Sequence, residues 1–349
     1  MYLARRRRMP RLSLPSHPPL EDICQLFPLN VQMSTWPERC PPGTWSDCKT
    51  HFLPQGTASP LMGGQVSSSG SFSSLPGTMN TDWMSGLCPQ LWDVPIHHLS
   101  IPTSGQGPAM HYPPCGDEVV CHTEQLDAGV RHLDLCIAHM LEGSERNLNF
   151  MRLVYTTALV EDTLTELSDW LEQHPREAVI LACRSFEGMT EGLHEYLDTC
   201  IQNIFGDMLC PQGEVPTLHQ LWARGQQVLM SYEDEGNVSW HGELWPRIPY
   251  WWGDQVKPEE LVHYLERMKS RGRPGGLLVA GINLTEHLAY ILLHLSESLK
   301  TTTLPSLPYL SRWVQEQCPG PGVQCTNIIA GDFIGTDAFI RLNEKLLPC

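Results

Sequence analysis

The sequence predicts an α/β fold, a (βα) barrel behind an irregular N-terminal leader. Three observations carry that expectation. Beyond residue 90, apolar β-branched runs alternate with helical stretches, the pattern of successive βα units. Seven such runs suit a closed barrel, with a doubly wound open sheet as the runner-up. No GxGxxG follows the first run, which removes the main support for an open dinucleotide-binding sheet.

Strands are expected near 98–101, 130–139, 148–156, 177–186, 227–234, 276–283 and 326–335. Helices are expected near 160–173, 191–205, 257–271, 286–298, 306–317 and 336–346. The first strand is the apolar run Leu99 to Ile101, halted at Pro102. It leads into Thr103-Ser104-Gly105-Gln106-Gly107, which offers no base and no metal ligand before His111. Loops leaving the C-terminal ends of barrel strands are where chemistry sits, so this loop reads as an unfamiliar working loop or the remains of one. In "VRHLDLCIAH", His132, Asp134 and Cys136 share one strand face and Leu133, Leu135 and Ile137 the other. The helix at 160–173 carries Leu164, Leu167, Trp170 and Leu171 as an apolar stripe. His174-Pro175 ends it, because a residue before proline disfavours helical backbone.

Residues 1–80 are rich in Pro, Ser and Gly without a sustained period, which reads as a disordered leader before a barrel domain at 83–349. The stretch "MYLARRRRMPRLSLPSHPPL" is basic but lacks the apolar core of a secretory signal. Its prolines also spoil the amphipathic helix of a transit peptide. "MGGQVSSSGSF", starting at Met62, fits the N-myristoylation pattern with Gly63 and Ser67, a pattern that acts only on an N-terminal glycine. Translation would have to begin at Met62 for it to matter.

A net charge of −16 argues against a nucleic-acid partner. Thirteen scattered cysteines with no CxxC pair argue against a zinc ribbon and for free thiols in a reducing, cytoplasmic setting. No apolar run reaches the roughly 18 residues of a membrane span, while peripheral membrane contact stays open.

One expected rim collects polar side chains from strand ends: Asp134, Arg152, Arg184, Tyr232 and Asp332. An acid in so apolar a strand needs a partner or a polar pocket. Asp134 and Arg152 read equally as a buried ion pair across neighbouring strands. Two arginines and a tyrosine on one rim also suit a phosphate. No metal site is read: the two histidines of "RHLDLCIAHM" have opposite parity, and His97-His98 likewise splits across a strand. The aromatics of "PYWWGD", 249–254, read as barrel packing, with a sugar or lipid contact as the alternative.

The runs "LWDVPIHHLSIP", "TEQLDAGVRHLDLCIAHM", "LVYTTALVEDTLTELSDWLEQHPREAVILACRSF", "SYEDE", "PYWWGD" and "CTNIIAGDFIG" resemble the phosphatidylinositol-specific phospholipase C X-domain family, in its stand-alone subgroup, over 83–349. The resemblance implies a distorted TIM-like barrel and a phosphoric diester hydrolase of lipid metabolism. The family reaction is attack of the inositol 2-hydroxyl on phosphorus. In metal-free relatives two histidines serve as base and acid and an arginine holds the phosphate; in calcium-dependent relatives carboxylates hold the metal.

The chain departs from that pattern. The family's P-G-S-H-D-T places its histidine on Gly105 and its Asp on Gln106. Its D-x-R is Asp134-Leu135-Cys136, and its second histidine falls on Arg152. Asp332 matches the late family Asp. The segment before "TEQLDAGV" is also several tens of residues shorter than in relatives, so a barrel incomplete near 103–123 is the alternative to a whole one. Each lost acid–base group costs about 10²–10⁴ in rate. The expectation is therefore a catalytically impaired chain that keeps a phosphoinositide or inositol-phosphate headgroup site. A substitute base would have to be His111 or His122. Two other readings stay open: a calcium-dependent phosphodiesterase using Asp134 and Asp332, and a non-catalytic scaffold.

Overall fold

The computed structural model describes residues 80–104, 122–139, 148–151, 155–285, 304–331 and 336–347. The expectations for the leader, for Gly63, and for a helix at 286–298 lie outside the described residues. Ten strands form one sheet: β1 (Ile101–Ser104), β2 (His132–His139), β3 (Leu148–Met151), β4 (Tyr155–Leu159), β5 (Val179–Glu187), β6 (Val228–Tyr232), β7 (Leu244–Trp245), β8 (Tyr250–Trp251), β9 (Val279–Gly281) and β10 (Ile328–Gly331). Eight follow one another as β7-β6-β5-β2-β1-β10-β9-β8, every neighbouring pair parallel. This is a curled TIM-type sheet.

The ends of that path, β7 and β8, are not paired, so a seam replaces the expected closure. The chain itself bridges the seam with Pro246-Arg247-Ile248-Pro249. Proline has no N–H to donate to a ladder, so this stretch cannot extend either strand regularly. It is pinned at both ends: Ser231 Oγ donates to the Pro246 carbonyl at 3.0 Å and the Val279 N–H to the Pro249 carbonyl at 3.0 Å. β1 pairs with both β10 and β2, so the sheet is continuous there; residues 105–121 lie outside the described residues.

The expected single strand at 148–156 is instead a hairpin. β3 runs antiparallel to β2, with Ile137 opposite Phe150, and β4 antiparallel to β3. Only residues 140–147 separate β2 from β3, too few for the helical crossover that a parallel neighbour needs. β5 therefore takes the place beside β2 in the barrel. The first strand starts later than expected because Ile96–His98 form a 3-10 turn, with the His98 N–H donating to the Pro95 carbonyl at 2.8 Å.

The helices follow their apolar periods. Among the described residues, α1 is Trp83–Gly86, α2 His122–Asp127, α3 Val160–Gln173, α4 Glu191–Phe205, α5 Leu218–Arg224, α6 Glu235–Trp240, α7 Pro258–Arg271, α8 Leu307–Glu316 and α9 Thr336–Ile340. α3, α4 and α7 fall where the 3.6-residue period puts them. α3 opens with Glu161 and Asp162, which favour a helix N-terminus, and buries Leu164, Leu167 and Leu171 against the sheet. None of the described helices is long and apolar enough to cross a membrane.

Strand alternation sorts the core into layers. Outward residues of β2, β5 and β6 (Leu133, Leu135, Leu181 and Met230 among them) pack under α3 and α4. Inward residues Ile101, Ile180, Leu229, Val279 and Ile328 fill the barrel. Among the described residues, polar side chains enter the interior at Thr103 in β1, His132 and Asp134 in β2, Arg184 in β5 and Ser231 in β6.

Candidate functional site

Inward residues line one depression: His132 and Asp134 from the first half of β2, Arg184 from β5, Glu233 just past β6, and Arg247 and Tyr250 from the seam. Asp134 is buried, and both its carboxylate oxygens accept from Arg184, one from Nε and one from Nη2. This is the fork geometry by which a guanidinium meets a carboxylate. Burial opposes the Arg184 charge, but the hydrogen bonds and charge of Asp134 outweigh it and push its pKa above the ordinary range. Arg184 remains 34% exposed at the mouth, and its Nη1 has no hydrogen-bond partner among the described residues.

A bulge aims Arg184. Register shifts where Cys136 opposes Arg184 but Ala138 opposes Glu187, and Ser185 takes a left-handed backbone at φ 57°. A non-glycine residue rarely sits there, and bulges of this kind redirect a neighbouring side chain. Glu233 holds the bend by accepting the Ser185 N–H at 2.7 Å. On the other side, the Tyr250 ring lies 5.7 Å from the Arg184 guanidinium carbon. Gly281 makes room for that ring, since a Cβ there would fall 2.7 Å from Tyr250 Cε1.

His132 lies deeper and is 2% exposed. Thr103 Oγ1 donates to the His132 carbonyl at 2.8 Å and stands 3.0 Å from its Nδ1. With the hydroxyl proton so committed, the ring carries its proton on Nδ1 and leaves Nε2 as an acceptor, an assignment made from the network. Nε2 is buried without a hydrogen-bond partner among the described residues. Burial holds the imidazole neutral, its pKa lowered to about 4. Among the described residues the depression carries two arginines, Arg184 and Arg247, and two carboxylates, Asp134 and Glu233.

The sequence-predicted residues fare differently. Asp134 and Arg184 are brought together, while the expected Asp134–Arg152 pair lies outside the described residues. Arg152, Asp332, Gly105, Gln106 and His111 lie outside the described residues. Tyr232 corrects the expected rim: it points outward, its hydroxyl 2.6 Å from His194 Nδ1 and its ring 4.6 Å from that of Phe186. The reason is parity, since its neighbours Ser231 and Glu233 face the barrel. His122 opens α2 and is buried. Cys136 is a half-buried thiol opposite Arg184, and Cys183 beside it is pushed up to about 12 by burial and then by Asp134 and Cys136. Cys183 lacks the cationic setting that makes a thiolate. Sequence reasoning missed His132, Arg247 and Tyr250 as mouth residues. Parity put His132 on the Asp134 face, and "PYWWGD" carried the tyrosine.

PI-PLC X domain-containing protein 1 of Homo sapiens is 63% identical over 323 residues, spanning 82% of this chain and 100% of its own length. The protein of that name from Danio rerio is 36% identical over 299 residues, spanning 75% of this chain and 96% of its own. The chain belongs to the PI-PLC X domain-containing family. No family model matches it. Phosphatidylinositol-specific phospholipase C of Staphylococcus aureus superposes with a TM-score of 0.56 at 12% identity, covering 76% of this chain and 98% of that one. The enzyme of Listeria monocytogenes superposes at 0.54 and 17%, covering 77% and 99%. At these identities the likeness speaks for the fold, a TIM-like barrel shared with the PI-PLC family. Since 82% of 349 residues is fewer than 323, the human alignment also includes positions with no counterpart in this chain.

Proposed function

We propose that this chain is a headgroup-binding relative of the phospholipases C, impaired in phosphodiester hydrolysis. The observation that carries the proposal is Arg184, held by Asp134 and a bulge so that its remaining N–H edge is free for a phosphate oxygen at the barrel mouth. His132 Nε2 supplies a buried acceptor for a ligand hydroxyl. The equal numbers of arginines and carboxylates among the described lining residues suit a singly charged phosphodiester or inositol monophosphate. Arg152 and Asp332 enter this reading from sequence alone. The impairment rests on Gly105, Cys136 and Arg152 standing where the resemblance puts histidine, arginine and histidine. His132 does not replace a lost base, because a group with a pKa near 4 is a poor proton acceptor at neutral pH.

Calcium fits poorly at Asp134, whose two oxygens are both taken up by Arg184. The free thiols of all seven cysteines among the described residues support a cytoplasmic setting, with contact at membrane surfaces through the headgroup.

The test is inositol-phosphate release from phosphatidylinositol vesicles, with calcium and with EDTA, alongside binding of inositol 1-phosphate. Binding without turnover, and turnover in a variant carrying Gly105→His, Gln106→Asp, Cys136→Arg and Arg152→His, is the expected result. Calcium-dependent turnover by the unaltered chain would restore the metal reading at Asp134 and Asp332. Neither binding nor turnover would leave a scaffold.

A further inference from the structure

On the outer side of the sheet, away from the mouth, three ligand-type side chains converge from two elements. Asp198 comes from α4, and His241 and Glu243 from the short stretch between α6 and β7. One donor atom from each lies within 4.8 Å of the other two. His241 Nδ1 stands 3.0 Å from Asp198 Oδ2 and 3.8 Å from Glu243 Oε1. Zinc bonds of about 2.0–2.2 Å in a tetrahedron put ligand atoms roughly 3.3–3.6 Å apart, so these separations bracket that edge.

A second observation points the same way. The Asp198 side chain is 5% exposed, yet its Oδ1 has no hydrogen-bond partner among the described residues. A buried carboxylate oxygen left unsatisfied is unfavourable. Gln202, one turn along α4, donates its amide to both carboxylates, to Asp198 Oδ2 at 2.7 Å and to Glu243 Oε1. It orients the two acids toward each other, an arrangement that like charges resist unless a cation, the His241 imidazolium or a proton shared between the carboxyls joins them.

We propose that Asp198, His241 and Glu243 bind one divalent transition ion of the zinc class, with water completing a tetrahedron. The ion clips α4 to β7, the two-residue strand at the open seam of the barrel. Its role is structural: it fastens a sheet end that hydrogen bonding leaves unpaired. The alternative is an imidazole–carboxylate contact that needs no metal.

The test uses the full chain, stripped with chelator and titrated with zinc by calorimetry while Tm is followed. Expected are one equivalent of zinc bound and a Tm that climbs with zinc concentration. Asp198→Asn and His241→Gln are expected to abolish both effects, and Gln202→Leu to weaken binding about 10–100-fold. His241→Gln guards against a folding failure of the buried variant, since His241 is 27% exposed. Cobalt supplies a spectroscopic readout. A tetrahedral visible band without a thiolate charge-transfer band supports the Asp-His-Glu ligand set. A thiolate band would assign the ion to cysteine, and zinc binding unchanged in both ligand variants, or none in the unaltered chain, would overturn the proposal.

Discussion

Two arginine–carboxylate pairs link the β2 and β5 segments, one just before the strands and one within them, and they differ in how much hydrogen-bonding capacity they leave unspent. At the N-terminal end Arg131 and Glu177 are both 0% exposed. Arg131 Nε and Nη2 donate to Glu177 Oε2 at 3.0 and 2.8 Å, and Nη1 to the Leu126 and Val130 carbonyls at 2.7 and 2.8 Å. Glu177 also accepts the N–H groups of Met84 and Ser85 at 3.2 and 3.0 Å, which ties the entry to the domain onto the barrel floor. Nearly every polar atom there is spent inside the protein. Within the strands the Asp134–Arg184 pair is partly open, and Arg184 keeps donor capacity. The closed pair is a structural rivet, and the open pair is the one proposed to take a headgroup. What separates them is unsatisfied hydrogen-bonding capacity rather than residue type.

The sharpest way to break the comparison is to remove the rivet. Arg131→Ala strands the buried Glu177 and is expected to lower unfolding free energy by about 3–5 kcal/mol in a urea titration. Replacing both, Arg131→Met with Glu177→Leu, is expected to recover most of that loss. A single variant within about 1 kcal/mol of the unaltered chain would place the two pairs in one class, well below the cost of an unpaired buried charge.

The mouth should show itself through pH. His132 binds its proton only near pH 4 when folded, against 6.5 when unfolded. Its contribution to stability is therefore full above about pH 6.5 and lost as pH falls toward 4, because the unfolded chain takes up the proton first. The expected loss is about 3 kcal/mol across that window. His132→Gln should flatten the fall in denaturant midpoint, and an equal fall in both proteins would remove His132 as its source.

The smallest expected effects lie at the arginines of the mouth. Arg184→Lys keeps the charge but loses the fork, and is expected to weaken inositol 1-phosphate binding about tenfold, on the order of 1.4 kcal/mol. Arg247→Ala removes a 62% exposed partner of Glu233, 3.2 Å away, and is expected to change stability by less than about 1 kcal/mol. If Arg247→Ala hurt headgroup binding more than Arg184→Lys, the centre of the site would move to the seam.

The architecture was readable where the signal is local. α3, α4 and α7 stand where their apolar periods place them, and β2, β5 and β6 match their β-branched runs. α5 was overlooked although Thr217-x-x-Gln220 is a capping box, with Thr217 Oγ1 accepting the Gln220 N–H at 3.2 Å. The site was only half readable. Parity put Asp134 and His132 on one face, but that Arg184 meets Asp134 depended on strand order. The hairpin of β3 and β4 leaves the barrel path and puts β5 next to β2.

The sequence by itself determined the alternation of faces and the helical stripes. Each is set by residues a few places apart. Only the tertiary structure decided that Tyr232 points away from the mouth, that Arg184 meets Asp134, and that Asp198 meets His241 and Glu243. Those outcomes depend on which strands become neighbours and in what register, and contacts between distant segments leave no period in the chain that encodes them.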